Sequence, residues 1–467
     1  MTPRKDRLAG RLFRQAWLRE LSDLAATRGW ELHLVGGAVR DAVWGRQPHD
    51  YDLIVGPPVE PVLSWLAQRS AHRPIRFEKR IRTHRFTVAG QLVDCVERAP
   101  RTLLQELRRR DFTIGAIAVR LGDRTVFDPL HGLRALQQGR VEPTRQATFR
   151  DDPLRMLRAI RLASEHPQLR PTGTCLRLIR RDATQIRNCS KERIGEEFDR
   201  ILAAGTTLRS WSWLARCGLV TQLLPELARC RGVVQNRHHH LDVYHHTLAA
   251  LAAADHVGRL GQGVLRPALD REALLILRWS LLCHDLGKPE TRTVGPNGEY
   301  RFHGHERRSA ELVGPIGARF AFSRERTRAV QRLVEHHLRI VVPATATMSD
   351  RALTRVVRDV DPWVELLALH TLADKRASVG VNHKQTTKRL RESLRQLLCL
   401  HERRRQPSRM RRLIDGHELQ QLLSIEPSAQ LGAYLKELDL LQSTGEITTR
   451  AQALSWARSL AAGDGPQ

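Results

Sequence analysis

The chain of 467 residues is 41% hydrophobic and 27% charged, enough apolar material for a sizeable core and, at about 150 residues each, for roughly three domains. This composition excludes intrinsic disorder and collagen-like repeats, and no run of about 18 apolar residues offers a transmembrane helix. Lys and Arg number 77 against 50 Asp and Glu, a formal charge of +27 that attracts polyanions, nucleic acid foremost; a general arginine bias is the bland alternative, since only eight of the basic residues are lysines.

In chain order, the basic N-terminus lacks the apolar core of a secretory signal. LFRQAWLRELSDLAA, within residues 1–30, has the three-and-four apolar spacing of a helix. Short runs then read as strands: HLVGG, DLIVG, FTVAG, LVDCV and IGAIAVRL, separated by glycine and proline. Beyond about residue 140, long amphipathic helical patterns run to the C-terminus. A sheet-bearing first third followed by helices predicts an α+β fold whose later parts are all-α. RVEPTRQATFRDDP marks one boundary, and QNRHHHLDVYHH opens a histidine-rich region whose His238, His239 and His240 are expected on a loop surface. The basic HERRRQPSRMRR precedes a last helical module that ends in AAGDGPQ. Cys95, Cys175, Cys189, Cys217, Cys230, Cys283 and Cys399 are scattered without a CxxC. They predict buried free thiols in a reducing, cytoplasmic setting, not a disulfide framework or a Cys-based zinc site.

The first chemistry lies in LVGGAVRDAVWGRQPHDYDLIVG. A strand runs into Gly36 and Gly37, and a helix starts near Ala38. Glycines there let backbone N–H groups approach phosphate, and Arg40 follows in the first turn. Asp50 and Asp52 open the next strand at i and i+2, which puts them on one face. Two convergent carboxylates beside a phosphate-binding turn suit divalent metals that activate a 3′-hydroxyl and steady a leaving pyrophosphate. Asp94, in LVDCV, supplies a third carboxylate.

Further on, DDPLRMLRAIRLA predicts a helix over 151–163, with Asp152 and Arg155 three residues apart on one face. A carboxylate accepts hydrogen bonds and a guanidinium only donates. Cytosine and adenine each offer an amine beside a ring acceptor, whereas uracil and guanine offer a carbonyl beside an N–H. One Asp–Arg pair thus admits CTP and ATP and rejects UTP and GTP. Arg158 and Arg161 continue the basic face toward triphosphate or an RNA end.

Residues 237–374 carry a second constellation: His246, the adjacent His284 and Asp285 in LLCHDLGKP, His305 in FHGHE, His337 in LVEHHL, and Asp374 in LADKRA. Imidazole and carboxylate suit divalent metals. A His-Asp pair that closes an apolar helix is costly to bury unless a metal or partners satisfy it.

GGAVRD followed by DYD resembles the class II nucleotidyltransferases, the bacterial tRNA CCA-adding enzymes and bacterial poly(A) polymerases. RRDFTIGA (109–116), with Arg110 and Asp111, looks like that family's ribose-contacting motif. DDPLRMLRAIRLA resembles its nucleotide-selecting helix, and KERIGEEFDRIL (191–202) the helix that follows. The histidine series resembles the HD phosphohydrolase superfamily and the HD domain that some CCA-adding enzymes carry. The resemblance implies Mg²⁺ on Asp50 and Asp52, and a nucleotide held by Gly36, Gly37, Arg40, Arg110 and Asp111. It implies a second divalent metal of unspecified identity on His246, His284, Asp285 and Asp374, with His305 and His337 nearby. It also implies tRNA, CTP and ATP as partners, with no membrane and no inferable protein partner. The parts are a nucleotidyltransferase head (1–140), a helical neck (141–232), an HD domain (233–380) and a tRNA-binding tail (381–467). The chain departs from the family at Gly115, where Asn is usual, and at Ala135 and Glu142, where Asp and Arg are usual. A poly(A) polymerase, an enzyme adding only CC or only A, and an HD phosphohydrolase with an RNA-binding head are the alternatives.

Overall fold

The computed structural model describes residues 10–48, 50–77, 82–98, 101–235, 241–265, 269–340, 348–378, 383–405, 413–443 and 446–461. His238, His239, His240 and most of the AAGDGPQ tail lie outside them. The chain divides into two compact units, 1–225 and 226–467. Among the described residues no helix is long and apolar enough to cross a membrane.

The first unit is built on a sheet of β1 (Leu32–Val35), β2 (Asp50–Val55), β3 (Ile75–Phe77), β4 (Thr83–Val88), β5 (Gln91–Glu97), β6 (Ala118–Arg120) and β7 (Val126–Phe127). Their order is β3-β4-β5-β2-β1-β6-β7. The sheet is mixed: β2 and β5 run parallel, and the other neighbours are antiparallel. The five expected strands are present. β3 and β7 carry three and two residues, too few to show a period of two. Central β2 buries Tyr51, Leu53, Ile54 and Val55. Tyr51 meets Trp17 of the N-terminal helix Ala16–Arg28 edge-on, ring centroids 5.2 Å apart, so the alternation that buries Tyr51 turns Asp50 and Asp52 to the other face.

Helices Arg155–Glu165, Gly173–Asp182, Lys191–Ala203 and Thr207–Arg216 complete this unit. The first departs from expectation because it starts at Arg155 instead of residue 151. Asp152 precedes Pro153, whose ring disfavours helical backbone in the residue before it, and Asp152 is extended with φ −147° and ψ 100°. The stretch beyond residue 140 is not purely helical either. Arg140–Val141 pairs in parallel with Arg170–Pro171, and Thr293–Val294 pairs with Tyr300–Arg301.

The second unit is helical. Helices Val243–Ala253, Arg271–Cys283, His305–Arg319, Arg324–His336 and Val364–Ala377 surround the histidine series. The C-terminal helices Gly416–Leu423, Ala429–Ser443 and Arg450–Ala461 have their own apolar cluster, including Ile414, Leu419, Leu438 and Ala457. All seven cysteines are free, and five of them are buried; Cys189 is half-buried and Cys399 exposed, contrary to the expectation of uniform burial.

Candidate active sites

β1 leads into Gly36, whose φ of +77° and ψ of −137° lie where only glycine is comfortable. A Cβ at Gly36 would stand 2.3 Å from Asp52 Oδ2 and 2.7 Å from Arg110 Nη1, so the bare turn lets carboxylate and guanidinium close over it. Arg110 donates to Asp52 Oδ2 at 3.4 Å and to the Gly115 carbonyl at 3.1 Å. Gly37 opens the short helix Gly37–Val43, and Arg40 pairs with Asp41 at 3.0 Å.

Asp94 of β5 stands opposite Asp52 in the parallel register. Arg85 of β4 grips both of its oxygens, each at 2.8 Å. Asp94, the expected third carboxylate, thus stands beside Asp52 with a guanidinium as its partner. Asp50 and Asp52 fit a divalent cation: two acceptor-only groups, exposed and half-exposed, at the start of a rigid central strand.

The neck residues are brought near this strand edge through Asp111. Burial opposes ionisation of Asp111, yet Arg158 and Arg110 hold its carboxyl below the usual range. Arg158 Nη2 lies 3.3 Å from Asp111 Oδ2. Arg155 donates to the Arg109 carbonyl at 2.8 Å, while Asp152 pairs with Arg193 at 3.0 Å. The two expected base-reading residues are thus held by separate partners, not on one helical face. Arg161 is buried, with Glu197 at 2.6 Å and Glu165 at 2.8 Å. It clamps helix Arg155–Glu165 to helix Lys191–Ala203. Gly115 closes a 3₁₀ turn, Ala135 is buried, and Glu142 pairs with Arg140.

In the second unit, the expected histidines and carboxylates do converge. His284 Nε2 lies 3.2 Å from Asp285, and His246 Nε2 lies 2.9 Å from Asp374. His284, His305 and His337 each place Nδ1 on a backbone carbonyl three residues earlier, those of Leu281, Phe302 and Val334, at 2.8, 2.7 and 2.6 Å. A carbonyl only accepts, so Nδ1 is the donor in each ring and, in the neutral form, Nε2 is left as a lone pair, the usual preparation of a metal-binding imidazole. Burial opposes protonation of His284, but Asp285 and Asp374 raise it, so a metal bound there would take the place of a proton. The buried Nε2 atoms of His284 and His305 make no hydrogen bond. The donor set fits a divalent metal.

Three comparisons bear on these two sites. Residues 32–142 match the Poly A polymerase head domain, 170–230 the "probable RNA and SrmB-binding site of polymerase A", and 243–366 the HD domain. An A-adding tRNA nucleotidyltransferase of Deinococcus radiodurans is 32% identical over 436 residues, covering 91% of this chain and 94% of that protein. The chain belongs to the tRNA nucleotidyltransferase family. A CC-adding member from Thermus thermophilus is 30% identical over 426 residues, 90% of this chain and 91% of that one. The Thermotoga maritima CCA-adding enzyme complexed with tRNA shares the fold, with a TM-score of 0.65 at 17% identity, covering 97% of this chain and 98% of that one.

In this tRNA nucleotidyltransferase the fold also brings to the second cluster residues that sequence reasoning missed. Lys288 is buried and donates to Asp285 Oδ2 and to Gln235, each at 2.7 Å. Its position three residues after Asp285 was the available signal. His370 lies one helical turn before Asp374, fully buried, its Nδ1 2.9 Å from the Ser280 hydroxyl and its ring 5.4 Å from that of His284. Burial opposes ionisation of Asp285, but His284 and Lys288 hold its carboxyl well below the usual range. Burial, helped by His284, pushes His337 down to about 3 and holds His370 well below the usual imidazole range, so both rings are neutral. Arg85, Arg193 and Glu197 hold Asp94, Asp152 and Arg161; Arg193 and Glu197 fall within KERIGEEFDRIL, but the motif does not name their partners.

Proposed function

We propose that this tRNA nucleotidyltransferase adds C and A to the tRNA 3′ end, using CTP and ATP. The 3′-hydroxyl oxygen attacks the α-phosphorus, the O3′–Pα bond forms, and the bond to the departing pyrophosphate breaks. The observation that carries the reading is the Asp50–Asp52 pair beside the bare Gly36 turn and Arg110. Asp50 and Asp52 would hold Mg²⁺, which when bound activates the hydroxyl and offsets pyrophosphate charge. Gly36, Gly37, Arg40 and Arg110 hold the triphosphate, and Asp111 and Arg158 steady the floor beneath the ribose. Asp152 and Arg155 read the base edge, each oriented by its own partner. The tRNA substrate supports a cytoplasmic location. The division of labour follows the head (1–140), neck (141–232), HD domain (233–380) and tail (381–467), with phosphate-ester hydrolysis at the HD centre as a second activity.

A second reading, addition of A alone, is favoured by the A-adding relative that spans 91% of the chain. The test offers tRNAs ending before, within and after CCA, each with one labelled nucleotide. Label from CTP and then ATP is expected. Label from ATP only, and only on tRNA ending in CC, establishes the second reading, whereas unlimited A tracts establish a poly(A) polymerase. Asp50→Ala or Asp52→Ala should abolish addition and leave tRNA binding largely intact, since phosphate contacts dominate affinity; near-normal addition sinks the metal assignment.

A further inference from the structure

The sheet face that carries Asp50 and Asp52 also carries a second set of polar groups. Across β2, β1 and β6 the register aligns Asp52, Val35 and Ala118 in one row and Ile54, His33 and Arg120 in the next. Side chains two apart share a face, so His33 lies on the Asp52 side of the sheet, one row removed and beside the apolar cluster of Val35, Ile54, Leu107 and Ala118. There it lines an open cleft of about 860 Å³, with Glu31, Arg101, Leu104, Arg120 and Phe127 also in the wall. That size falls in the roughly 300–1,000 Å³ range of small-molecule sites. Neither Gly36, Asp52 nor Arg110 contributes to the wall.

His33 is the residue that points to a ligand. It is only 2% exposed, yet among the described residues its ring nitrogens have no hydrogen-bond partner. Burial pushes the imidazole down to about 4, although Glu31 opposes this, so the ring is neutral, with one nitrogen to donate and one to accept. A buried polar group without a partner costs stability, and the cleft is the side from which a partner reaches it. Arg98 fixes Glu31 through both carboxylate oxygens. Arg101 and Arg120 each commit Nη1 to a carboxylate, Glu106 and Asp123, but a guanidinium has five donors, and neither carboxylate lines the cleft. Phe127, 39% exposed on the edge strand β7, offers an apolar face. An aromatic face, a neutral donor and acceptor and two guanidiniums together match a planar base joined to a phosphate.

We propose that this cleft is a second nucleotide site, separate from the catalytic turn, which takes a nucleoside phosphate with its base against Phe127 and Leu104 and its phosphate on Arg101 and Arg120. His33 hydrogen-bonds the edge of the base, and Glu31 accepts from an exocyclic amine or a ribose hydroxyl. The site is independent of which nucleotides the chain adds to tRNA.

The experiment titrates the full chain calorimetrically with ATP, CTP, GTP and UTP in turn, with Mg²⁺ present and tRNA absent. At least one of them should show a binding event that Arg110→Ala, at the catalytic turn, leaves in place. Phe127→Ala and Arg120→Ala should each weaken that event by about tenfold, the scale of a lost base stack or a lost charge-assisted hydrogen bond. His33→Leu should weaken it likewise; where that variant fails to fold, the exposed Phe127 and Arg120 still decide. If Phe127→Ala and Arg120→Ala leave every binding event unchanged, the cleft holds no nucleotide and the site falls. Inorganic tripolyphosphate that competes as tightly as the nucleotide would reduce the cleft to an anion site. Weakened tRNA binding in these variants, with nucleotide binding intact, would make it part of an RNA surface; either result overturns the proposal.

Discussion

Asp152 and Arg161 sit nine residues apart in the neck, and their surroundings give them opposite jobs. Arg161 has a side chain 8% exposed and satisfies Glu197, itself 13% exposed. Removing one member of a buried pair leaves the other desolvated and unpaired. Arg161→Met should therefore cost about 3 kcal/mol of stability, read by chemical denaturation, with nucleotide preference unchanged in the folded fraction. Asp152 pairs with the largely exposed Arg193, an arrangement worth at most about 1 kcal/mol. Asp152→Ala should barely change stability yet relax discrimination against UTP and GTP, because it removes the acceptor that tests the exocyclic amine. If Asp152→Ala keeps full discrimination in single-nucleotide incorporation, base choice lies elsewhere; if Arg161→Met alters it, the strut also touches the nucleotide.

At the scale of elements, each site depends on one glycine where two elements meet, for different physical reasons. Gly36 needs its positive φ and its missing Cβ, since an added Cβ would run into Asp52 and Arg110. Gly287 has an ordinary φ of −79°, and space alone decides there. A Cβ would meet the His305 carbonyl at 2.7 Å and the Ser309 amide at 2.8 Å, where the Gly287 amide donates to the Ser309 hydroxyl. Gly36→Ala should abolish nucleotide addition and leave metal binding at the HD centre untouched. Gly287→Ala should push away the start of helix His305–Arg319, displace His305 and weaken metal binding, with addition retained. Incorporation and metal content measured on both variants check this; loss of both activities in either variant would contradict it.

For the molecule as a whole, the two sites belong to separate compact units, each with its own buried residues and ligand set. Nothing in nucleotidyl transfer requires the second centre. His284→Ala combined with Asp285→Ala should leave addition at wild-type rates and eliminate metal-dependent hydrolysis of phosphomonoesters or 2′,3′-cyclic phosphates. Incorporation and phosphate release on a single preparation separate the two. Lost incorporation in a well-folded variant would mean that the units are coupled.

Most of this protein was legible along the chain wherever the chemistry is local. The DYD alternation, the glycines at the start of helix Gly37–Val43 and the HD dipeptide state their geometry through periods of two and 3.6 residues. A sheet-bearing first unit and a mostly helical remainder were read from the apolar runs, and candidate ligand residues of both sites from these motifs. What local spacing does not encode is the partner of a charged group. Arg85 reaches Asp94 from the neighbouring strand, Arg193 reaches Asp152 from another helix, and Glu197 draws Arg161 inward. Tertiary packing alone gave the expected third carboxylate and the expected phosphate ligand these ion-pair partners. It also brought His370 and Lys288 to the HD centre and set imidazoles on both sides of Asp285, because the balance of burial and pairing that decides a charge's role is struck between residues far apart in sequence.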